Sequence, residues 1–89
     1  MSEKLRVLYF SAPWCGPCKI FKPAFNEIVD QYDDIDVQRI DVDDTPIFAQ
    51  EYLITSIPTV IMMKGEEQVF RQSGVITKTQ LKNLIDNNK

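Results

Sequence analysis

The sequence predicts an α/β fold: a four-stranded mixed sheet in the order 2-1-3-4, with three helices distributed over both faces. Three observations predict it. Stretches with strand periodicity and stretches with helical periodicity follow one another as strand, helix, strand, helix, strand, strand, helix. The first strand is apolar on both of its alternating faces, which places it inside a sheet with a parallel neighbour on one side and an antiparallel one on the other. The third and fourth strands face each other across a short turn, whereas a whole helix separates the first from the second and permits a right-handed parallel crossover.

"LRVLYF" (Leu5 to Phe10) is the first strand, short, apolar and ending near Pro13. The period then changes. Ile20, Phe21, Ala24, Phe25, Ile28, Val29 and Tyr32 recur at helical intervals, predicting a helix of about four turns. Pro23 lies inside it, where it removes a hydrogen bond to the Lys19 carbonyl and crowds that turn. "IDVQRIDV" (Ile35 to Val42) alternates apolar and polar residues as a strand does. Thr45 as a cap and Pro46 at the first helical position predict a short helix to about Tyr52. "PTVIMMKGEEQVFRQSG" predicts a hairpin: a strand from Thr59 to Met63, a turn at Lys64 to Glu66, and a more polar edge strand from Glu67 to Ser73. Met62 and Met63 are expected on opposite faces. Thr77 and Gln80 stand at capping-box spacing before Leu81, Leu84 and Ile85, which predicts a closing helix.

The chain has 89 residues, 44% of them apolar and 26% charged, which fits one small domain over residues 1–89 with a stability of about 5 kcal/mol. Its net charge of -3 and scattered basic residues exclude nucleic acid as the expected partner. No apolar run approaches the roughly 20 residues needed to span a bilayer. The opening "MSEKLRVLYF" has no secretory pattern, so the expected compartment is the cytoplasm. "DVDD" (Asp41 to Asp44) lacks the remaining spacing of a calcium loop and reads as a strand end and helix start.

Both cysteines of the chain, Cys15 and Cys18, fall in "SAPWCGPCKIFKPAF", between the first strand and the first helix. A bridge between them closes a very small loop, so redox chemistry or metal binding explains the pair better than structural stapling. Zinc needs four ligands, and with no histidine in the chain a closed site would require a dimer. The carboxyl end of a central strand is the usual place for a site in an open α/β sheet. Cys15 is expected at or just before the first helical residue, where unpaired N–H groups and the helix dipole favour a thiolate. Cys18 is expected one turn deeper, facing the first sulfur and able to displace whatever Cys15 has captured. Gly16 permits a tight helix start, and Pro17 gives up an N–H that had no partner.

"WCGPC" resembles the active-site motif of the thioredoxins, and the resemblance extends along nearly the whole chain. Pro23 stands where that family has a helix-kinking proline. "SIPT" (Ser56 to Thr59) resembles the segment with its cis-proline, Gly65 and Glu66 its next turn, and Gly74 with "VITKTQL" its last helix start. The resemblance implies a thiol–disulfide oxidoreductase without a cofactor or bound metal, in which Cys15 is the exposed attacking thiol and Cys18 the buried resolving one. It further implies a flat, mostly apolar client surface formed by Trp14, Gly16, Pro17, Ile57, Pro58 and Gly74, with the Ile57 backbone pairing with an extended client segment. The implied partners are disulfide-containing proteins and an upstream reductase, such as a thioredoxin reductase, or a small thiol. The chain is expected to act as a monomer.

Two departures stand out. Thioredoxins usually begin with a further strand and helix, and this sequence starts at the next strand, so a sheet of four strands rather than five is expected. The buried aspartate of typical members is replaced by Tyr9, and the lysine that accompanies it by Arg39. These two are the candidate pKa-tuning residues, although tyrosine is a poor base at neutral pH, so proton removal from Cys18 is expected to rely on water or on the substrate thiolate. Arg39 is expected either to pair with the Tyr9 hydroxyl or to reach solvent. The alternative readings are a glutaredoxin-like enzyme, disfavoured by Gly-Pro between the cysteines and by the lack of glutathione-binding residues in "RQSGVIT", and a non-enzymatic metal-binding or docking module.

Overall fold

A computed structural model describes residues 3–89. Met1 and Ser2, which the expected unit over 1–89 includes, lie outside the described residues. The chain runs β1 (Leu5–Ser11), α1 (Gly16–Val29), β2 (Ile35–Asp41), α2 (Pro46–Glu51), β3 (Thr59–Lys64), β4 (Glu67–Ser73) and α3 (Lys78–Asn88). The sheet order is β2-β1-β3-β4, with β1 and β2 parallel and both remaining pairs antiparallel. The architecture is the expected one, and the element ends differ by a residue at most of the boundaries.

β1 is the axis of the molecule because its sequence leaves no face for water. Leu5, Val7 and Tyr9 point into one cluster with Phe21, Phe25 and Ile28 of α1 and Leu81 and Ile85 of α3. Leu8 and Phe10 point the other way, against Ile61, Met63 and the partly buried Tyr52, Ile54 and Ile57. Met62 and Met63 divide between these two clusters, as alternation along a strand requires. Each fully buried side chain of this kind contributes roughly 1.5–3 kcal/mol by leaving water.

α1 buries Cys18, Phe21, Phe25, Ile28 and Val29, a stripe at spacings of three, four, three and one. Ile20 departs from the expected stripe and is 75% exposed. It is rotated about 100° from Phe21 on the helix, and once Phe21 is aimed at Tyr9 its neighbour faces solvent. Tyr32 lies beyond the end of α1, but its ring still packs against the same cluster. α3 opens with a complete capping box, the Thr77 hydroxyl accepting the Gln80 N–H and the Gln80 side chain accepting the Thr77 N–H.

Thr45 does not cap α2 with its side chain; its hydroxyl donates to the Asp41 carbonyl at 3.2 Å. α2 buries no residue, so what fixes its end is Arg71 of β4, whose guanidinium donates to the Tyr52 carbonyl at 2.6 Å and the Leu53 carbonyl at 2.7 Å. Leu53 occupies the left-handed region at φ 56°, at the helix exit where glycine is the usual residue. β4 carries a bulge, the register shifting between Met62 and Met63 so that Phe70 and Gln68 are their partners.

Tyr32 joins the end of α1 to α3. Its hydroxyl donates to the Asp86 carboxylate at 2.6 Å, and the Lys82 and Lys89 ammonium groups lie over its ring. Burial first, then the hydrogen bond and negative charge of Asp86, push its phenol up to about 12. The fold therefore favours the neutral phenol over its ordinary value near 10. This contribution is complete below pH 10 and is lost as pH rises from 10 through 12. Urea titrations at pH 9 and pH 11.5 test it: the wild type is expected to lose more stability over that interval than Tyr32→Phe, and equal losses would refute it.

Candidate active site

β1 delivers the chain to the N-terminus of α1, and the two sulfurs sit at that junction. Cys15 is the N-cap residue, extended at φ -83° and ψ 110°, and its Sγ accepts the Cys18 N–H at 3.2 Å. Cys15 donates its own N–H to the Ala12 carbonyl at 3.1 Å, which closes the turn between strand and helix. Pro17 falls in the first helical turn, where no N–H is missed. Cys15 and Cys18 form a disulfide, with Cα atoms 5.2 Å apart.

The expected contrast between an exposed Cys15 and a buried Cys18 is not present in this oxidised state, where they are 4% and 3% exposed. Ala12, Val42 and Ile57 pack around both residues and cover them alike. Trp14 is 67% exposed, and Gly16 and Pro17 are exposed beside it. Ile57 and Gly74 are half-buried. Pro58 is buried, which corrects its expected place on the surface. Its peptide bond with Ile57 is cis, and its carbonyl accepts the Gly74 N–H at 2.8 Å, so it lies under the surface rather than on it. Gly74 itself takes φ 93°, a conformation that favours glycine.

An apolar groove of about 380 Å³ runs beside Trp14, lined by Val42, Ala49, Ile54, Ser56 and Ile57. Val42, Ala49 and Ile54 were not among the expected surface residues, since their positions at a strand end, in a short helix and in the loop after it gave no signal of a shared wall. Asp43 was also missed. Its carboxylate accepts the Trp14 indole N–H at 2.8 Å, linking the acidic run after β2 to the residue preceding Cys15. The nearest signal was the position of "DVDD" at the carboxyl end of a strand parallel to β1.

Tyr9 is buried, and its hydroxyl donates to the Cys18 carbonyl at 3.3 Å. Burial pushes its phenol up, outweighing the hydrogen bond to the Ser11 side chain that pulls it down. Arg39 does not pair with Tyr9 and is withdrawn from the residues that tune the thiols. Its Nε and Nη2 donate to the Asn26 amide oxygen at 3.0 and 2.8 Å, and its guanidinium lies over the Phe25 ring. Burying that cation beside Tyr9 would cost several kcal/mol of hydration, whereas the long side chain reaches the exposed flank of α1 at little cost.

A thioredoxin family model matches residues 1–87. The chain belongs to the thioredoxin family. It is 40% identical over 73 residues to Thioredoxin H2 of Arabidopsis thaliana, covering 82% of this chain and 55% of that one. It is 41% identical over 78 residues to Thioredoxin 1 of Synechococcus elongatus, covering 86% and 73%. Among solved structures, Fasciola hepatica thioredoxin superposes with a TM-score of 0.90 at 31% identity, covering 99% of this chain and 84% of that one. The chain thus spans a little over half the length of the plant relative and most of the other two. The family, the fold and the bonded cysteine pair make it a thiol–disulfide oxidoreductase. Among the described residues, no group of three or more histidine, cysteine or acidic side chains could hold a metal ion, and no helix is long and apolar enough to cross a membrane.

The bond between Trp14 and Asp43 is exposed, so its loss should cost about 1 kcal/mol or less. Asp43→Ala is expected to leave the urea midpoint almost unchanged while lowering the fluorescence anisotropy of Trp14, the single tryptophan of the chain. Unchanged anisotropy would mean that Asp43 does not hold the ring.

Proposed function

We propose that this thioredoxin-family chain reduces disulfide bonds of client proteins through Cys15 and Cys18, working as a monomer in the cytoplasm. The observation that carries this reading is the place of the Cys15 sulfur, at the N-cap of α1 and within hydrogen-bonding distance of the Cys18 N–H. A helix start of this kind stabilises a thiolate through its unpaired N–H groups and its dipole, and the thiolate is the attacking species in disulfide exchange.

In the reduced protein the Cys15 thiolate attacks one sulfur of a client disulfide. A mixed disulfide forms and the second client sulfur leaves as a thiolate. Cys18 then attacks Cys15 Sγ, forming the Cys15–Cys18 bond and releasing the first client sulfur. The client gains two electrons and the protein loses two. Restoring the dithiol requires an upstream reductase of the thioredoxin reductase kind or a small thiol; the reaction needs no bound cofactor. The groove beside Trp14 suits an extended apolar client segment, with Ile57 in its wall, and the exposed Gly16 and Pro17 and the half-buried Gly74 complete the client surface of this reading. Pro58 supports that edge from beneath by holding Gly74.

Insulin reduction coupled to a bacterial thioredoxin reductase and NADPH tests the activity. Cys15→Ser is expected to abolish turnover, while Cys18→Ser should retain the first attack and accumulate mixed disulfides with clients. Alkylation rates of the reduced protein against pH should place Cys15 below the roughly 8.5 of a free cysteine. Normal turnover by Cys15→Ser would overturn the proposal.

Tyr9 is assigned no proton-transfer role, because its hydroxyl donates to a carbonyl and its phenol is pushed further from neutrality. A general base contributes typically 10²–10⁴-fold, so Tyr9→Phe is expected to change the exchange rate by less than about tenfold across pH 6–9. A loss of a hundredfold or more would show that the phenol takes part in the chemistry.

A further inference from the structure

Cys18 must lose a proton before it can attack, and a buried cysteine ionises less readily than a free one. Beside Cys18 lies a cavity of about 320 Å³, bounded by Tyr9 and Ser11 of β1, Lys19 and Lys22 of α1, and Asp41 at the end of β2. It has room for several waters, and its walls offer them polar partners. The charged and titratable groups on those walls can be sorted by whether they can take a proton. Lys19 and Lys22 are ammonium groups, donors with no acceptor capacity. Tyr9 commits its hydroxyl hydrogen to the Cys18 carbonyl. Ser11 is a neutral hydroxyl. Asp41 supplies the carboxylate.

Its position is fixed by the fold. Asp41 is the register partner of Ser11 across the parallel pair of β1 and β2, so the carboxyl ends of the two strands bring it level with the start of α1. Its Oδ1 accepts the Asp43 N–H at 2.8 Å, and the Asp44 N–H approaches the same oxygen at 3.4 Å, which holds the carboxylate at the cavity wall. We propose that Asp41, acting through water in this cavity, accepts the proton that Cys18 loses when it resolves the mixed disulfide. The inference rests on the oxidoreductase reading above. The Cys18 S–H proton passes to a cavity water, which gives up a proton to the Asp41 carboxylate. The Cys18 thiolate forms its bond to Cys15 Sγ, the Cys15–client bond breaks, and the client sulfur leaves with the electron pair. Asp41 afterwards returns its proton to solvent. The two lysines add positive potential that favours the transient thiolate.

The test separates the two attacks. Reduced protein mixed with 5,5′-dithiobis(2-nitrobenzoate) in a stopped-flow instrument releases one aryl thiolate when Cys15 attacks and a second when Cys18 displaces the first product from Cys15. Asp41→Asn keeps an oxygen acceptor for the Asp43 N–H and removes the proton acceptor. It is expected to leave the first phase within about twofold and to slow the second about tenfold or more at pH 7. The deficit should narrow as pH rises, because hydroxide increasingly takes the proton in place of Asp41. Asp44→Asn removes the same charge outside the cavity and should leave the second phase unchanged. In the wild type, the solvent deuterium isotope effect on the second phase should exceed that on the first.

A second phase with the wild-type pH profile in Asp41→Asn would overturn the role of Asp41 while leaving the oxidoreductase reading intact. An equal slowing by Asp44→Asn, or a wild-type second phase without an isotope effect, would do the same. Absence of both phases in the wild type would overturn the oxidoreductase reading itself.

Discussion

A strand that is dry on both faces fixes everything else in this molecule. β1 is paired along both edges as far as Phe10 and carries large buried side chains above and below, so the chain enters the cysteine turn from a strand held on every side. α1 and α3 cover one of its faces, partly buried residues that include Ile40, Tyr52 and Ile54 cover the other, and four residues separate the end of β1 from the start of α1. The cysteines occupy that junction. Their chemistry is thus mounted at the end of a buried, paired strand, and disulfide exchange needs sulfurs aligned in space.

Around that fixed point the remaining elements act as supports. α2 contributes no buried residue, and the loop after it is held by the partial burial of Tyr52 and Ile54 and by Arg71, which spans from β4 to two carbonyls at the helix exit. That clamp sets the start of the segment leading to Ile57 and Pro58, and Pro58 in turn holds Gly74. On the opposite side of Cys15, Asp43 holds Trp14. The groove beside the sulfurs is therefore shaped by residues from four separate parts of the chain, each tied by hydrogen bonds to charged or carbonyl groups rather than by deep burial.

Tyr9 decides how the interior beneath the thiols is satisfied. A buried carboxylate must be hydrated or paired, whereas a phenol is neutral and can rest in an aromatic cluster, here against Phe21 and Phe25, with one hydrogen bond for its hydroxyl. Arg39 then has no anion to follow inward and turns to Asn26 on the surface. Asp41, the proposed proton acceptor, stands beside Ser11 at the ends of the paired strands, on the wall of the water-sized cavity.

The order of elements, the central place of β1, the hairpin and the capping box of α3 were legible in the sequence, because periodicity and local capping depend on near neighbours in the chain. The motif around Cys15 and Cys18 was legible for the same reason: a strand end, a helix start and a three-residue spacing are local. What the sequence could not specify were meetings between distant segments, among them Asp43 with Trp14, Arg71 with the end of α2, and Asp41 with Ser11. It also misjudged exposure at Ile20, Cys15 and Pro58, since burial depends on which partners arrive once the sheet is assembled. Propensity and pattern act along the chain, whereas the reach of a side chain and the competition for its hydrogen bonds are decided only after packing brings the segments together.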